Sequence, residues 1–227
     1  MSRIHIEFEG KQLTQSRFDE IEKFVLEYFH GIWSDIRESI YTLREKDKKL
    51  IKSEVCLAFI GADSLSRFRE IVTTGEKDEK KNEDRFREWV DSYVLNDKNE
   101  AYRLNKKEIG LNSSDFWRLR NSLLHFYGLP ASEPYIGFAT MDEVSRREFK
   151  DHVNKNKNGK SYRIVNPYRL IEVILQGFLM QTEVLMEMIK GTNDMEKEMY
   201  VRGIVMCYEI IQTEGTVHIP YGPQKTA

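Results

Sequence analysis

Along the first 129 residues, stretches with an apolar side chain at every third or fourth position alternate with short polar connections. This spacing collects apolar side chains on one face of a helix and predicts amphipathic helices at 16–48 and 50–71. A polar stretch of mixed charge at 73–84 predicts a loop, and helical spacing resumes from Phe86 to Val94. All five prolines follow residue 129, so none of them interrupts these helices.

A further helix is predicted at 114–127, because both of its ends carry recognisable signals. Before it, residues 111–114 read LNSS, which supplies side chains preferred at a helix N-cap. After it, Gly128 and Pro130 are typical of a helix end. One face of this helix is apolar and is predicted to pack in the core; it carries Phe116, Leu119, Leu123 and Phe126.

The opposite face of this helix is polar. His125 lies opposite the apolar stripe, and Asn121 precedes it by one turn, close enough to hydrogen-bond an imidazole nitrogen. Arg120 lies about 140° from His125 around the helix axis. The two side chains therefore meet at one phosphate only through the length of the arginine, an irregular helix end or a second copy of the helix. Beside this face, Trp117 and Leu124 form an apolar flank that a dimer partner would cover.

Beyond Pro130 the pattern changes to short strands. YIGFAT at 135–140 and SYRIV at 161–165 have the length and composition of strands. Between them lie a helix-like segment at 141–153 and a turn-rich segment at 154–160. This part of the chain is therefore predicted to be an insertion into a helical fold.

The last part of the chain predicts a return to helix. Residues 168–190 are apolar nearly all round in their first half, which is typical of a helix at the centre of a bundle. The tail after Gly191 fits either a helix or a strand, with a possible hairpin turn at 214–215.

These elements predict an all-α fold, a helical bundle with a small strand-containing insertion and a tail of uncertain structure. A single domain is expected over residues 1–227, since no repeat and no clear linker interrupts the pattern. We expect its core at about 14–130 and 167–190, with the insertion at 131–166.

The charge balance limits the partners of the protein. The 35 Lys and Arg residues against 37 Asp and Glu give a net charge of −2, so any contact with nucleic acid must be local. The best local candidate is a basic run late in the chain, with a solvated loop as the alternative interpretation. This run contains Arg146, Arg147, Lys150, Lys155, Lys157, Lys160 and Arg163.

Two cysteines, Cys56 and Cys207, lie far apart in apolar surroundings, which is typical of buried free thiols in a reducing compartment. The chain starts without an apolar leader, and its longest apolar run is too short to span a bilayer. We therefore expect a cytoplasmic protein without membrane contact. No metal or cofactor is expected, because the histidines lack metal-ligand spacing and the chain has neither a glycine-rich phosphate loop nor a GxSxG elbow.

The chemistry suited to an arginine and a histidine on one helix is attack on a phosphodiester by the neighbouring 2′-hydroxyl of RNA. Histidine gains and loses a proton near neutral pH. Arginine offers two charged hydrogen bonds to phosphate oxygens. A two-fold dimer would supply two histidines, one as base and one as acid, without any metal.

The segment RNSLLH, from Arg120 to His125, resembles the RxxxxH motif of HEPN domains, including the polar residue after the arginine. The resemblance covers about residues 50–130 and extends to 168–190. It implies an all-α homodimer that acts on RNA as a metal-independent endoribonuclease in a toxin–antitoxin or antiviral defence system. Arg120 and His125 would line the RNA-cleaving cleft and leave a 2′,3′-cyclic phosphate, with Asn121 orienting His125. The alternative is a catalytically inactive HEPN module for dimerisation or partner binding.

Two further residues have two interpretations each. Tyr127 extends the motif to RxxxxHxY, which resembles HEPN toxins paired with a nucleotidyltransferase-type antitoxin, where the tyrosine is a target of inactivating nucleotide transfer. The alternative for Tyr127 is a core residue. Asp63, on the second predicted helix, is a candidate for orienting Arg120 or His125 across the bundle. The alternative for Asp63 is an exposed helix edge or an internal cap.

Overall fold

A computed structural model describes most of the chain, namely residues 6–8, 11–46, 50–76, 80–139, 162–188 and 194–213. Within these ranges the fold is all-α with two small sheets. The seven α-helices of this part are α1 (Gln15–Lys46), α2 (Ile51–Thr74), α3 (Asn82–Trp89), α4 (Glu100–Ile109), α5 (Ser113–Phe126), α6 (Pro167–Met188) and α7 (Asp194–Thr213). Helix α3 continues without a break into a π-helical turn, Val90–Val94.

Each of the two sheets has two strands. Strands β1 (Ile6–Phe8) and β2 (Lys11–Leu13) pair antiparallel ahead of α1. Strands β3 (Tyr135–Phe138) and β4 (Tyr162–Val165) pair parallel, so the chain makes a crossover between them. The second sheet confirms the predicted strands of the insertion, whereas the first was not predicted.

Helix α2 lies at the centre of the bundle and contacts α1, α3, α5, α6 and α7. Its high density of apolar residues allows it to bury several faces at once, as the side chains of Ala58, Phe59, Ala62 and Ile71 show. Helix α6, whose first half is apolar, packs against α2. A buried amide fixes the pair, because Gln181 donates from Nε2 to the Leu65 carbonyl.

Most of the predicted helices are confirmed, with ends that move by a few residues. The exception is α4, because no helix was predicted between Val94 and residue 114. Asn99 caps this helix by accepting a hydrogen bond from the Tyr102 backbone, and Tyr102 and Ile109 are buried. The apolar positions of α4 are few and are surrounded by charged residues, so their helical spacing was overlooked.

Three other predictions have different outcomes. The loop predicted at 73–84 is shorter, since α2 extends to Thr74 and α3 begins at Asn82. The tail up to Thr213 is a helix, α7. The predicted segments at 141–153 and 154–160 and the turn at 214–215 lie outside the described residues.

Both cysteines are free thiols, as predicted. Cys207 is buried, and Cys56 is half-buried. Burial raises the pKa of the Cys56 thiol, and the nearby Lys52 ammonium opposes this effect only in part. None of the helices within the described ranges is long and apolar enough to cross a lipid bilayer.

Candidate active site on helix α5

The N-terminus of helix α5 is fixed by a capping box. The Asn112 side chain accepts a hydrogen bond from the Asp115 backbone at 3.0 Å, and the Asp115 carboxylate accepts one from the Asn112 backbone at 3.1 Å. Three residues of the predicted apolar stripe are buried below it, namely Phe116, Leu119 and Leu123. The helix is therefore held in register on the bundle from its first turn.

The C-terminus of α5 differs from the prediction. Phe126 was expected in the core stripe, but 83% of its surface is exposed. The helix ends at Phe126 because Tyr127 adopts the left-handed region with φ 48°, and its N–H bonds to the Leu123 carbonyl at 3.0 Å. The apolar face of α5 thus extends beyond the part of the helix that the bundle covers.

Arg120 contacts three side chains that carry the candidate chemistry. Its Nη2 donates to Oδ2 of Asp63 at 2.8 Å, across the interface between α5 and α2. Its Nη1 donates to Oδ1 of Asn121 at 2.8 Å and lies 3.3 Å from Nε2 of His125. The guanidinium also stacks over the Trp117 ring at 5.1 Å. Only 13% of the arginine side chain is exposed, so its head group has a defined position.

The contact between Arg120 and His125 shows how two residues far apart around the helix meet. The arginine side chain spans the separation within one chain, without distortion of the helix between them. His125 itself is exposed at the last turn of α5. The pair therefore presents a cation and an imidazole side by side at the protein surface.

The predicted hydrogen bond between Asn121 and His125 is wrong, because Asn121 bonds to a different side chain. The Asn121 amide oxygen accepts from Arg120 instead, because the guanidinium lies between the two side chains. Of the two roles considered for Asp63, the structure shows the contact across the bundle, and the partner is Arg120. The Asp63 side chain remains 32% exposed.

Tyr127 is not a core residue. The residue is 55% exposed, and its hydroxyl lies 2.8 Å from Oγ of Ser53 at the start of α2. The Lys52 ammonium lies 5.9 Å from the ring centroid. The Ser53 contact was missed because 74 residues separate the two side chains and no local pattern links them.

Trp117 has a second contact besides Arg120. Its ring lies 5.7 Å from that of Phe86 on α3. The apolar flank that was expected to await a dimer partner is therefore packed in part within the same chain. The indole thus serves as a platform below the guanidinium.

The basic run is only partly described. Arg163, on β4, forms an ion pair with Asp115 and donates to the Gly110 carbonyl at 3.3 Å. These contacts tie the small sheet to the N-terminus of α5, and the RNA contact of Arg163 stays a prediction. The other six residues of the run, Arg146, Arg147, Lys150, Lys155, Lys157 and Lys160, lie outside the described residues.

The side chains of this site can donate hydrogen bonds to an anion and transfer a proton. Two guanidinium nitrogens point at neighbours that a phosphate oxygen can replace or join, and the exposed imidazole can exchange a proton with a bound hydroxyl. Among the described side chains, no group of three His, Cys, Asp or Glu residues has the geometry to hold a metal ion.

The chain was compared with models of protein families, with curated proteins and with solved structures. None of the three comparisons gives a match.

Proposed function

We propose that this protein is a metal-independent endoribonuclease of the HEPN type, acting as a homodimer in a toxin–antitoxin or antiphage defence system. The observation that carries the proposal is the 3.3 Å contact between Nη1 of Arg120 and Nε2 of His125. It brings together the two residues of the RxxxxH motif in one chain. RNA is the substrate class, since the 2′-hydroxyl supplies the nucleophile.

The proposed reaction begins with a phosphodiester bound at Arg120. A distance of 3.3 Å is at the long end for a hydrogen bond, so a phosphate oxygen readily replaces the imidazole as the partner of Nη1. His125 then removes the proton of the 2′-hydroxyl. The 2′-oxygen forms a bond to phosphorus while the bond from phosphorus to the 5′-oxygen breaks, and His125 of the second copy protonates that oxygen.

Arg120 stabilises the charge that develops on the phosphorane. Its guanidinium is pre-organised by Asp63 and Asn121 and by the Trp117 ring, so little reorganisation is needed when the charge appears. Asp63 is a positioning residue in this scheme, because it touches Arg120 and not the reacting atoms. Asn121 acts in the same way on the other nitrogen.

Two sets of measurements test the nuclease. Wild type should cut a mixed RNA pool in EDTA and leave 2′,3′-cyclic phosphate ends, whereas RNA blocked by 2′-O-methyl groups should stay intact. His125→Ala and Arg120→Ala should each abolish cutting. Arg17→Ala removes an exposed arginine near the start of α1 and should cut like wild type. An inert wild type, or equal cutting by His125→Ala, contradicts the proposal.

The role of Asp63 has its own test. Asp63→Ala should lower kcat by about a hundredfold, because the guanidinium loses its anchor and points away from the transition state. KM should change little, since the positive charge that attracts phosphate remains. Asp97→Ala, which removes the exposed partner of Lys106, is the matched control. A rise in KM with unchanged kcat would instead make Asp63 part of substrate binding.

A second candidate function is a catalytically inactive HEPN module that binds a partner. The exposed pair Phe126 and Tyr127 favours it, because two neighbouring aromatic side chains at a helix end are typical of interface anchors. A nucleotidyltransferase-type antitoxin is one such partner, and the exposed Tyr127 hydroxyl suits nucleotide transfer. Growth arrest on expression that disappears with His125→Ala would favour the nuclease over this alternative.

A further inference from the structure

A groove of about 400 Å³ lies on a different part of the molecule, between α1, α4 and α6. Its walls combine aromatic, aliphatic and amide side chains, including Trp33, Tyr41, Leu104, Asn105 and Gln176. Tyr41 is 46% exposed and Leu104 is 73% exposed, so large apolar surfaces face the groove and solvent together. The bundle does not need these surfaces for its own core.

Arginines and aromatic rings alternate along one face of α1 beside this groove. Arg37 lies 5.4 Å from the Trp33 ring and 5.0 Å from the Tyr41 ring. Arg44 lies 5.7 Å from the Tyr41 ring and 4.6 Å from the ring of Tyr168 on α6. From Trp33 to Arg44 the series extends for about 16 Å along the helix. This length accommodates a few nucleotides of an extended strand.

The charges along the groove leave a net positive centre at Arg37. Glu172 pairs with Arg169 at 2.8 Å, and Glu100 pairs with Arg103 at 3.3 Å. Within the described residues, the contacts of Arg37 are with the two aromatic rings, and no carboxylate forms an ion pair with it. An anion that approaches the groove therefore meets an arginine whose charge is not already neutralised.

The end of the arginine–aromatic series and the residue after α5 both contact the first turn of α2. Arg44 donates to Glu54 at the start of α2, and the preceding residue, Ser53, contacts the Tyr127 hydroxyl beyond His125. The first turns of α2 thus connect the end of the arginine–aromatic series with the end of α5.

We propose that this groove binds single-stranded RNA, with bases stacked on Trp33 and Tyr41 and a phosphate paired with Arg37. Flat aromatic faces interleaved with cations are the recognition surface of single-stranded nucleic acids, since every base has a face to stack and every linkage an anion. The assignment of the strand as the substrate rests on the proposed nuclease function. Binding of the strand does not.

The binding test uses protein that carries His125→Ala, so that bound RNA is not cut. A short fluorescein-labelled oligouridylate should bind in an anisotropy titration and quench tryptophan emission. Arg37→Ala and Tyr41→Ala should each weaken binding by about tenfold. Trp33→Phe should reduce the quench, and the remainder should come from half-buried Trp117 at the candidate active site, since Trp89 is buried. Arg17→Ala is the matched control, because it removes an arginine stacked on a ring at the other end of α1.

The outcomes separate this groove from the nuclease site. Loss of binding in the groove variants, with thermal stability retained, supports the groove even if wild type proves unable to cut. No binding, equal binding by all variants, or tighter binding of polyglutamate than of RNA overturns it. If wild type cuts, Arg37→Ala should raise KM for long RNA and leave cutting of a dinucleotide unchanged. Unchanged KM for long RNA also contradicts the groove.

Discussion

Arg120 is held by contacts of three kinds: an ion pair, a hydrogen bond to an amide oxygen and an aromatic face. Each of these restrains a different part of the guanidinium. Asp63 and Asn121 fix the plane of the group through separate nitrogens, and Trp117 supports it from below. A long side chain that is normally mobile is thereby given a fixed position at the protein surface, and His125 lies beside it.

Tyr127 allows the energetic effect of one backbone conformation to be measured. Its φ of 48° is unfavourable for a residue with a Cβ. Tyr127→Gly and Tyr127→Ala both lose the ring and its contact with Ser53, but only alanine keeps the unfavourable conformation. We expect the glycine variant to be more stable than the alanine variant by about 1 kcal/mol in thermal or chemical unfolding. Equal stabilities would mean that the helix ends differently in solution.

Glu22 gives a prediction for pH. Burial raises the pKa of its carboxyl, the hydroxyl of Tyr200 on α7 opposes this, and Asp19 adds to it. One Glu22 oxygen is buried without a hydrogen-bond partner among the described residues. Because the folded-state pKa lies above the unfolded one, ionised Glu22 destabilises the fold at pH values above the folded-state pKa, and this effect disappears below the unfolded pKa.

The variant Glu22→Gln should therefore unfold at a higher temperature than wild type at pH 7. The difference should shrink as the pH falls toward the unfolded pKa of a glutamate. Calorimetry at both pH values measures it. A wild type more stable than the variant at pH 7 would show that the carboxylate is stabilised by an interaction stronger than its burial.

At the scale of elements, α7 and α2 approach each other closely at Gly203. A Cβ on Gly203 would lie 2.5 Å from both the Ile71 carbonyl oxygen and the Val72 Cα atom. Gly203→Ala should therefore lower the free energy of unfolding by about 3 kcal/mol, because backbone atoms cannot move aside as a side chain does.

Gly31 provides the matched control on α1. A Cβ there would meet nothing within 4 Å. Gly31→Ala should raise stability by about 0.5–1 kcal/mol, since alanine loses less backbone entropy in a helix. Chemical denaturation of the two variants measures both effects. Similar effects of the two substitutions would contradict the close packing of α7 on α2.

Apolar spacing was enough to predict α1, α2, α5 and α6, because their buried faces are wide and continuous. It failed for α4, where the decisive side chain is polar. Asn99 caps the helix and also donates to the carbonyls of Tyr93 and Val173, so it joins three elements. Such a role depends on residues distant in sequence, and periodicity carries no information about them.

Only part of the candidate site could be predicted, because some of its contacts also join residues that are distant in sequence. Arg120 and His125 follow from the motif, but the hydrogen bonds between side chains do not follow from helix angles. The angular separation of the two residues is a property of Cβ positions, whereas their contact depends on a long side chain held by Asp63 of another helix. Phe126 shows an error of over-prediction. Its spacing places it on the apolar face of α5, but the bundle does not cover the last turn of that helix, so the side chain is exposed.

At the scale of the whole molecule, the proposed dimer makes Phe126 a candidate anchor. Phe126→Glu should halve the mass measured by light scattering, because a charge would be buried in the interface. Its thermal stability as a monomer should not collapse, since the side chain is 83% exposed in the single chain. Leu104→Glu, on α4, is the control for an exposed apolar residue and should leave the mass unchanged. A wild type that is monomeric at all concentrations contradicts the dimer.

Helix α5 is tied at both ends by residues far away in sequence. Arg163 of β4 holds its first turn through Asp115, and Ser53 of α2 holds the residue after its last turn, Tyr127. The geometry of the RxxxxH motif therefore depends on residues outside α5. A fragment that ends before β4, or a transplant of α5 into another bundle, would keep the residues of the motif. It would lose the contacts that fix the position of α5.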